Sequence, residues 1–192
     1  MNVLILPEDF RMDQYILRPL IQKMFEKIGK PRAKVQVCFD PLLGGIDQAI
    51  RWERIQDIID MYPMVDVFLL IVDRDGVAGR RQVLDTLEQR AMAVLGRDRV
   101  LLAENAWQEV EVWGLAGQTL LKGWTWQHIR NEEHPKESYF IPLAEHRGLT
   151  DEPGQGRTTI GREAALNYTR VRSRCPEDFV NLETRLNQWV NQ

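Results

Sequence analysis

Two acidic groups stand where apolar runs stop. Val3-Leu4-Ile5-Leu6 is ended by Pro7 and followed by Glu8 and Asp9, and the run Val65 to Val72 is followed by Asp73-Arg74-Asp75-Gly76. In an open α/β sheet, ligands collect beyond the carboxyl ends of the parallel strands, so residues just past each strand are placed to react. Carboxylates converging at one sheet edge repel one another unless a cation lies among them, and an all-oxygen donor set favours Mg2+ or Mn2+. Acids after strands also cap helices and turns, so an isolated Asp-x-Asp carries little weight. The conjunction is what points to a metal: a Glu after the first strand, a paired Asp after the most apolar one, and Gly76 and Gly79 permitting tight backbone between them.

Other chemistries fall away on inspection. His128, His134 and His146 lack zinc-ligand spacing, and no Ser or Cys sits in a nucleophile motif. Gly156 to Glu163 echoes a phosphate-binding loop but has Arg162 and Glu163 where Lys and Ser or Thr are required, which rules out ATP binding there.

The elements that must position these residues alternate. Val3 to Leu6 reads as a strand buried on both faces, and Tyr15, Ile16, Leu20, Ile21, Met24, Phe25 and Ile28 recur at helical spacing before Gly29 and Pro31. Lys34 to Phe39 reads as a second strand, Ile46 to about Pro63 as a helix, and Val65 to Val72 as a central strand. A helix from Gly79 to Leu95, with Val83, Leu84, Leu87, Ala91 and Val94 inward, leads to a fourth strand over Arg99 to Ala103. Beyond it, Trp107 to Leu121 fits a helix, Tyr139 to Pro142 is too short to assign, and Arg147 to Thr159 reads as a loop. Arg162 to Arg174 and Pro176 to Val190 read as helices, with Pro176 in the first turn of the last. The fold class is α/β, a Rossmann-like, mostly parallel sheet with helices on both faces. Residues 1–145 form the α/β domain, and 146–192 a loop plus helical C-terminal extension packed on it.

With 192 residues, 44% of them hydrophobic, the chain is one domain able to bury its own core. A net charge of −3 excludes coating nucleic acid by bulk charge, so any polyanion site is local. Cys38 and Cys175 are too few for a disulfide framework, and neither a membrane span nor a signal peptide is legible, which together suggest a cytoplasmic protein.

The segments Leu4-Ile5-Leu6-Pro7-Glu8 and Val67 to Gly76 resemble the TOPRIM domain, whose signature is a Glu after the first strand and an Asp-x-Asp after a later one. More narrowly, the chain is similar to small bacterial TOPRIM-like proteins often encoded beside an ATPase of the overcoming-lysogenization-defect type. That narrower likeness rests on Glu109-Val110-Glu111-Val112-Trp113-Gly114-Leu115, on His134-Pro135-Lys136-Glu137 and on the stretch Arg170 to Phe179. The resemblance implies a metal-dependent nuclease. Glu8, Asp73 and Asp75 would hold Mg2+ or Mn2+, Glu8 would double as general acid or base, Glu111 would serve a second metal position, and Lys136 would stabilise phosphate charge. Asp9 and Glu109 are weaker candidates, and Lys136 reads equally well as a solvated lysine after a proline. TOPRIM proteins usually carry Gly where this chain has Asp9, which either adds a ligand or alters the activity.

Between Arg157 and Arg174 five arginines face one acid, Glu163, so Arg170, Arg172 and Arg174 are candidate nucleic-acid contacts, with a solvated surface as the ordinary alternative. Trp107, Trp113, Trp124 and Trp126 could stack on bases but fit core or interface better. The resemblance further implies DNA or RNA as substrate, an ATPase partner and a role in anti-phage defence, and leaves homo-oligomerisation open. The competing reading is a non-catalytic regulatory or nucleic-acid-sensing subunit of the same fold.

Overall fold

The computed structural model describes residues 1–191. Four strands, β1 (Asn2–Pro7), β2 (Lys34–Val37), β3 (Val67–Asp73) and β4 (Val100–Ala106), form one sheet in the order β2-β1-β3-β4, every pair parallel. The sequence pattern explains this arrangement. β1 and β3 are apolar at nearly every position because helices cover both faces, and the pleat sends alternate residues to opposite cores. Val3, Ile5, Val67, Leu69 and Ile71 enter one core, whereas Leu4, Leu6, Phe68, Leu70 and Val72 enter the other.

The second core is closed by α2 (Ile46–Ala49), α3 (Trp52–Met61) and α4 (Arg80–Leu95). The first is larger. It takes in α1 (Phe10–Lys27), α5 (Glu111–Ala116) and α6 (Trp126–Asn131). It also includes a π-helical turn, Lys136–Phe140, that runs into α7 (Ile141–His146). The C-terminal helices α8 (Arg157–Leu166), α9 (Tyr168–Arg174) and α10 (Phe179–Val190) bury Ile160, Ala164, Val171, Phe179, Leu182 and Leu186 in this same core. The extension therefore packs against α1 and the sheet face.

Several boundaries differ from the sequence reading, each for a physical reason. Ile46 to Pro63 is two helices broken at Ile50-Arg51, where the apolar spacing from Ile50 to Ile55 is five residues and falls out of helical register. On α4 the inward residues are Leu84, Leu87, Ala91 and Leu95, while Val83 and Val94 flank that stripe and are exposed. Trp107 to Leu121 is helical only over α5, because the backbone before it is taken by tertiary partners: Trp107 N–H donates to Asp178 and Val110 N–H to Asp73. The basic segment divides into α8 and α9, and α10 begins at Phe179, past Pro176. Both cysteines are buried free thiols, and no described helix is long and apolar enough to cross a membrane.

Candidate metal centre

Parallel pairing of β1 with β3, Val3 opposite Val67 through Pro7 opposite Ile71, brings both strands out at the same edge. Glu8 is the first residue past β1 and Asp73 the last of β3. The Asp73 N–H donates to Glu8 Oε2 at 3.3 Å, and Asp73 Oδ1 accepts the Val110 N–H at 2.8 Å. Burial raises the Glu8 carboxyl above its ordinary range, with Asp75 adding to the rise while the Asp73 and Ile46 N–H groups and the Arg80 charge hold it down. Asp73 is driven well up by burial first, then by Glu111, Asp13 and Glu8.

Asp13 and Arg157 complete this cluster. Asp13 is buried in the first turns of α1, its Oδ2 accepts the Asp9 N–H at 3.0 Å, and its carboxyl is pushed up to about 8 by burial, then by Glu111, Asp9 and Glu8. Its sequence signal is an acid on the inward stripe of α1, in helical register with Ile16, Leu17 and Leu20. Glu111 is buried and its Oε1 accepts from Arg157 Nε at 2.9 Å and from Nη2, while the Arg157 guanidinium lies 4.9 Å from the Phe140 ring centroid. Glu8, Asp13, Asp73 and Glu111 thus share one region whose buried counter-charge is Arg157.

The loop after β3 is pinned by Gln108, a residue with no distinguishing signal in the sequence. Its carbonyl accepts the Arg74 and Asp75 N–H groups at 2.9 and 3.1 Å, and its Oε1 accepts the Gly76 N–H at 3.0 Å. Asp75 adopts φ +50 and Gly76 φ +65, so the glycine is required where the turn enters left-handed backbone. Asp75 Oδ2 lies 3.9 Å from Arg80 Nη2. A cleft of about 500 Å³ opens over Glu8, lined by Asp9, Phe10, Arg11, Leu42, Gly44 and Gly45.

The remaining candidates sit elsewhere. Asp9 is the N-cap of α1, its Oδ1 accepting the Arg11 N–H at 2.8 Å. Glu109 lies in a second group with His134 and Glu137, whose ligating atoms all fall within 4.8 Å of one another; among the described residues Glu8, Asp73 and Asp75 form no group that tight. A carboxylate and histidine set able to hold a metal therefore exists, with Glu109 buried at its base and pushed up to about 7 by burial, then by Glu111 and Glu137, against the pull of Lys136. The Lys136 N–H donates to Glu109 Oε2 at 2.7 Å, and its Nζ lies 3.3 Å from Glu137 and 3.9 Å from Glu109. Lys136 thus belongs to this second group. Glu111, expected at a second metal position, adjoins Asp73 and is paired with Arg157.

The three C-terminal arginines are likewise committed. Arg170 Nη1 donates to the Gly117 carbonyl at 3.2 Å, and Arg174 Nη1 to the Ala116 and Gln118 carbonyls, each at 3.0 Å. These are the carbonyls a helix end leaves without partners, so Arg170 and Arg174 cap α5. Arg172 pairs with Glu183 at 2.5 Å.

No family model, curated protein or solved structure matches the chain. The arrangement of side chains is what bears on function. Glu8 lines an open cleft at the sheet edge with Asp73 beside it, and their oxygen donors suit a hard divalent cation.

Proposed function

We propose that the chain is a divalent-metal-dependent phosphodiester hydrolase of TOPRIM type acting on nucleic acid. Glu8 and Asp73, with Asp75 reaching in from the loop, hold Mg2+ or Mn2+. One observation carries the reading: adjacent parallel strands deliver Glu8 and Asp73 to the same edge, with Asp13 and Glu111 behind them. So much negative charge in partial burial is costly unless a cation or protons offset it. A bound divalent ion polarises a phosphate oxygen and acidifies water.

The chain's own residues supply the rest. The Val110 N–H fixes the Asp73 carboxylate, and the Asp73 N–H fixes Glu8. Glu8, its affinity for a proton raised, is suited to exchange one with the attacking water or the leaving oxygen. The Asp9 side chain is spent on the α1 cap, so its presence where TOPRIM proteins have Gly leaves the donor set unchanged. An ATPase partner and a defence role rest on the sequence resemblance.

The test is cleavage of plasmid and single-stranded DNA and RNA with Mg2+ or Mn2+, alongside calorimetric titration of Mn2+. Glu8→Gln and Asp73→Asn should each lose cleavage by about 100-fold or more and weaken Mn2+ binding while the circular dichroism spectrum is kept. Wild-type protein that takes up no Mn2+ and cuts none of these substrates overturns the reading in favour of a regulatory subunit.

A further inference from the structure

We infer that a phosphate-binding subsite lies beside the acidic centre, at the N-terminus of α4, with Arg80 as its anchor. Its cavity, about 260 Å³, is lined by Arg74, Arg80, Arg81, Asn105, Trp107 and Asn181 among others. The same loop that carries Asp73 and Asp75 forms its wall, so the subsite adjoins the centre proposed above. That it holds a phosphate of a nucleic-acid strand rests on the nuclease reading, whereas that it holds phosphate does not.

The sequence at this helix start is unusual for a helix of 16 residues. Gly79, at φ +88, is the N-cap and offers no side-chain acceptor, and no acid occupies the first turn. The Arg80 and Arg81 N–H groups have no acceptor among the described residues. Orphan N–H groups at the positive end of a helix dipole attract an anion.

Arg80 itself is the second and independent observation. Its side chain is only 10% exposed, yet its guanidinium makes no hydrogen bond among the described residues, and its Nε is buried without a partner. The nearest carboxylate is Asp75, at 3.9 Å too far to accept a hydrogen bond and half exposed to water. A buried Nε–H left without an acceptor is costly, and the guanidinium fork that carries it matches the oxygens of a phosphate.

The acids lining the cavity are matched by other cations and give that fork no hydrogen bond. Glu104 is matched by Arg81 and Arg185, and Asp178 and Glu177 by Arg130. Arg81 is further held by Asp85, Glu88 and the Ala103 carbonyl, so it forms wall rather than ligand. Arg74 lies 3.9 Å from the Trp107 ring centroid and has no carboxylate partner among the described residues. Among the described residues, the cavity's cations without a hydrogen-bonded carboxylate are therefore Arg74 and Arg80, with Arg80 acting on Glu8 and Asp75 only at longer range.

The experiment uses the full chain with the metal chelated, so the acidic centre contributes no cation. The probes are inorganic phosphate, followed by calorimetry, and a fluorescent oligothymidylate with or without a 5′-phosphate, followed by polarisation. Wild type should bind inorganic phosphate and the oligomer. Preference for the 5′-phosphorylated strand assigns the subsite to a strand end, and equal binding assigns it to an internal phosphodiester. Arg80→Gln should weaken both probes about tenfold or more while the circular dichroism spectrum is kept. Arg80→Lys, which keeps the charge without the fork, should fall between them. Arg90→Gln removes the same charge from the exposed far half of α4 and should bind as wild type. Wild type that binds neither probe, or equal binding by wild type, Arg80→Gln and Arg80→Lys, overturns the proposal. Failure of metal-dependent cleavage leaves these metal-free measurements intact, so the two readings fall separately.

Discussion

Asp13 carries a clear pH signature at the level of a single side chain. Its carboxyl sits at about 8 in the fold against an ordinary value of 3.8. The sign follows from which state binds the proton. Below about pH 4 the carboxyl is protonated folded and unfolded, so burial costs nothing extra; between about pH 4 and 8 only the unfolded chain ionises, and stability falls as pH rises. Above about pH 8 the penalty levels off, on the order of 5 kcal/mol for a shift of that size. Asp13→Asn keeps an oxygen for the Asp9 N–H and removes the titration. In chelated protein its melting temperature should match wild type near pH 4 and exceed it clearly near pH 8. A gap that does not grow with pH would show that Asp13 is already ionised in the fold. Arg157 has the opposite balance. As the buried counter-charge to Glu111, its replacement by Met should cost about 3–5 kcal/mol in chemical denaturation, and adding Glu111→Gln should restore most of it. That Glu8 and Asp73 stand at the ends of neighbouring strands was legible in the sequence, because each closes an apolar run. Arg157 as the partner of Glu111 was not, since 46 residues separate the two and only the packing of α8 against α5 brings them together.

Between elements, α1 and α8 approach closely enough to bring backbone against backbone. Pro19 lies inside α1 and has no N–H to give the Tyr15 carbonyl, so one backbone acceptor in mid-helix goes without its usual donor. α8 passes at this point, and it does so at Gly161, where an added Cβ would stand 2.3 Å from Tyr15 O and 2.9 Å from Ile16 Cα. These are backbone atoms and cannot rotate away. Gly161→Ala should therefore force the helices apart and cost about 3 kcal/mol, read as a lower urea midpoint, despite the better helix propensity of alanine. An unchanged midpoint would mean that the crossing is looser than described. Because Arg157 opens the same helix, the variant should also shift the pH dependence attributed to Asp13. The strands and α1 were readable from apolar runs and periodicity, signals local to each segment. The short α5 was not, because it is decided by groups far along the chain: Asp178 takes the Trp107 N–H, Asp73 takes the Val110 N–H, and Arg170 and Arg174 close α5. The same distant bonding gives Arg170 and Arg174 a structural role that their charge alone did not suggest.

For the whole molecule, the question is whether residues after 146 are an appendage or part of the fold. Three charges buried in the first 146 residues have their partners beyond it: Glu111 in Arg157, Glu104 in Arg185 alongside Arg81, and Arg130 in Asp178 alongside Glu177. Asp178 also accepts the Trp113 Nε1–H at 2.7 Å, and the Trp113 ring meets Phe179 edge to face at 5.2 Å. Stranding a buried charge costs about 3–5 kcal/mol, and a domain holds only about 5–15 kcal/mol in total. Losing these partners, together with the apolar cover of Ile160, Ala164, Phe179 and Leu186, exceeds what a chain of this size has to spare. A fragment ending at residue 146 should accordingly keep helical far-ultraviolet dichroism, lose the near-ultraviolet signal of Trp113 and bind a hydrophobic dye, the signs of a compact chain without fixed packing. If it instead unfolds cooperatively with native near-ultraviolet dichroism, the C-terminal helices are dispensable to the sheet, and the counter-charges they supply must be replaced from within the first 146 residues.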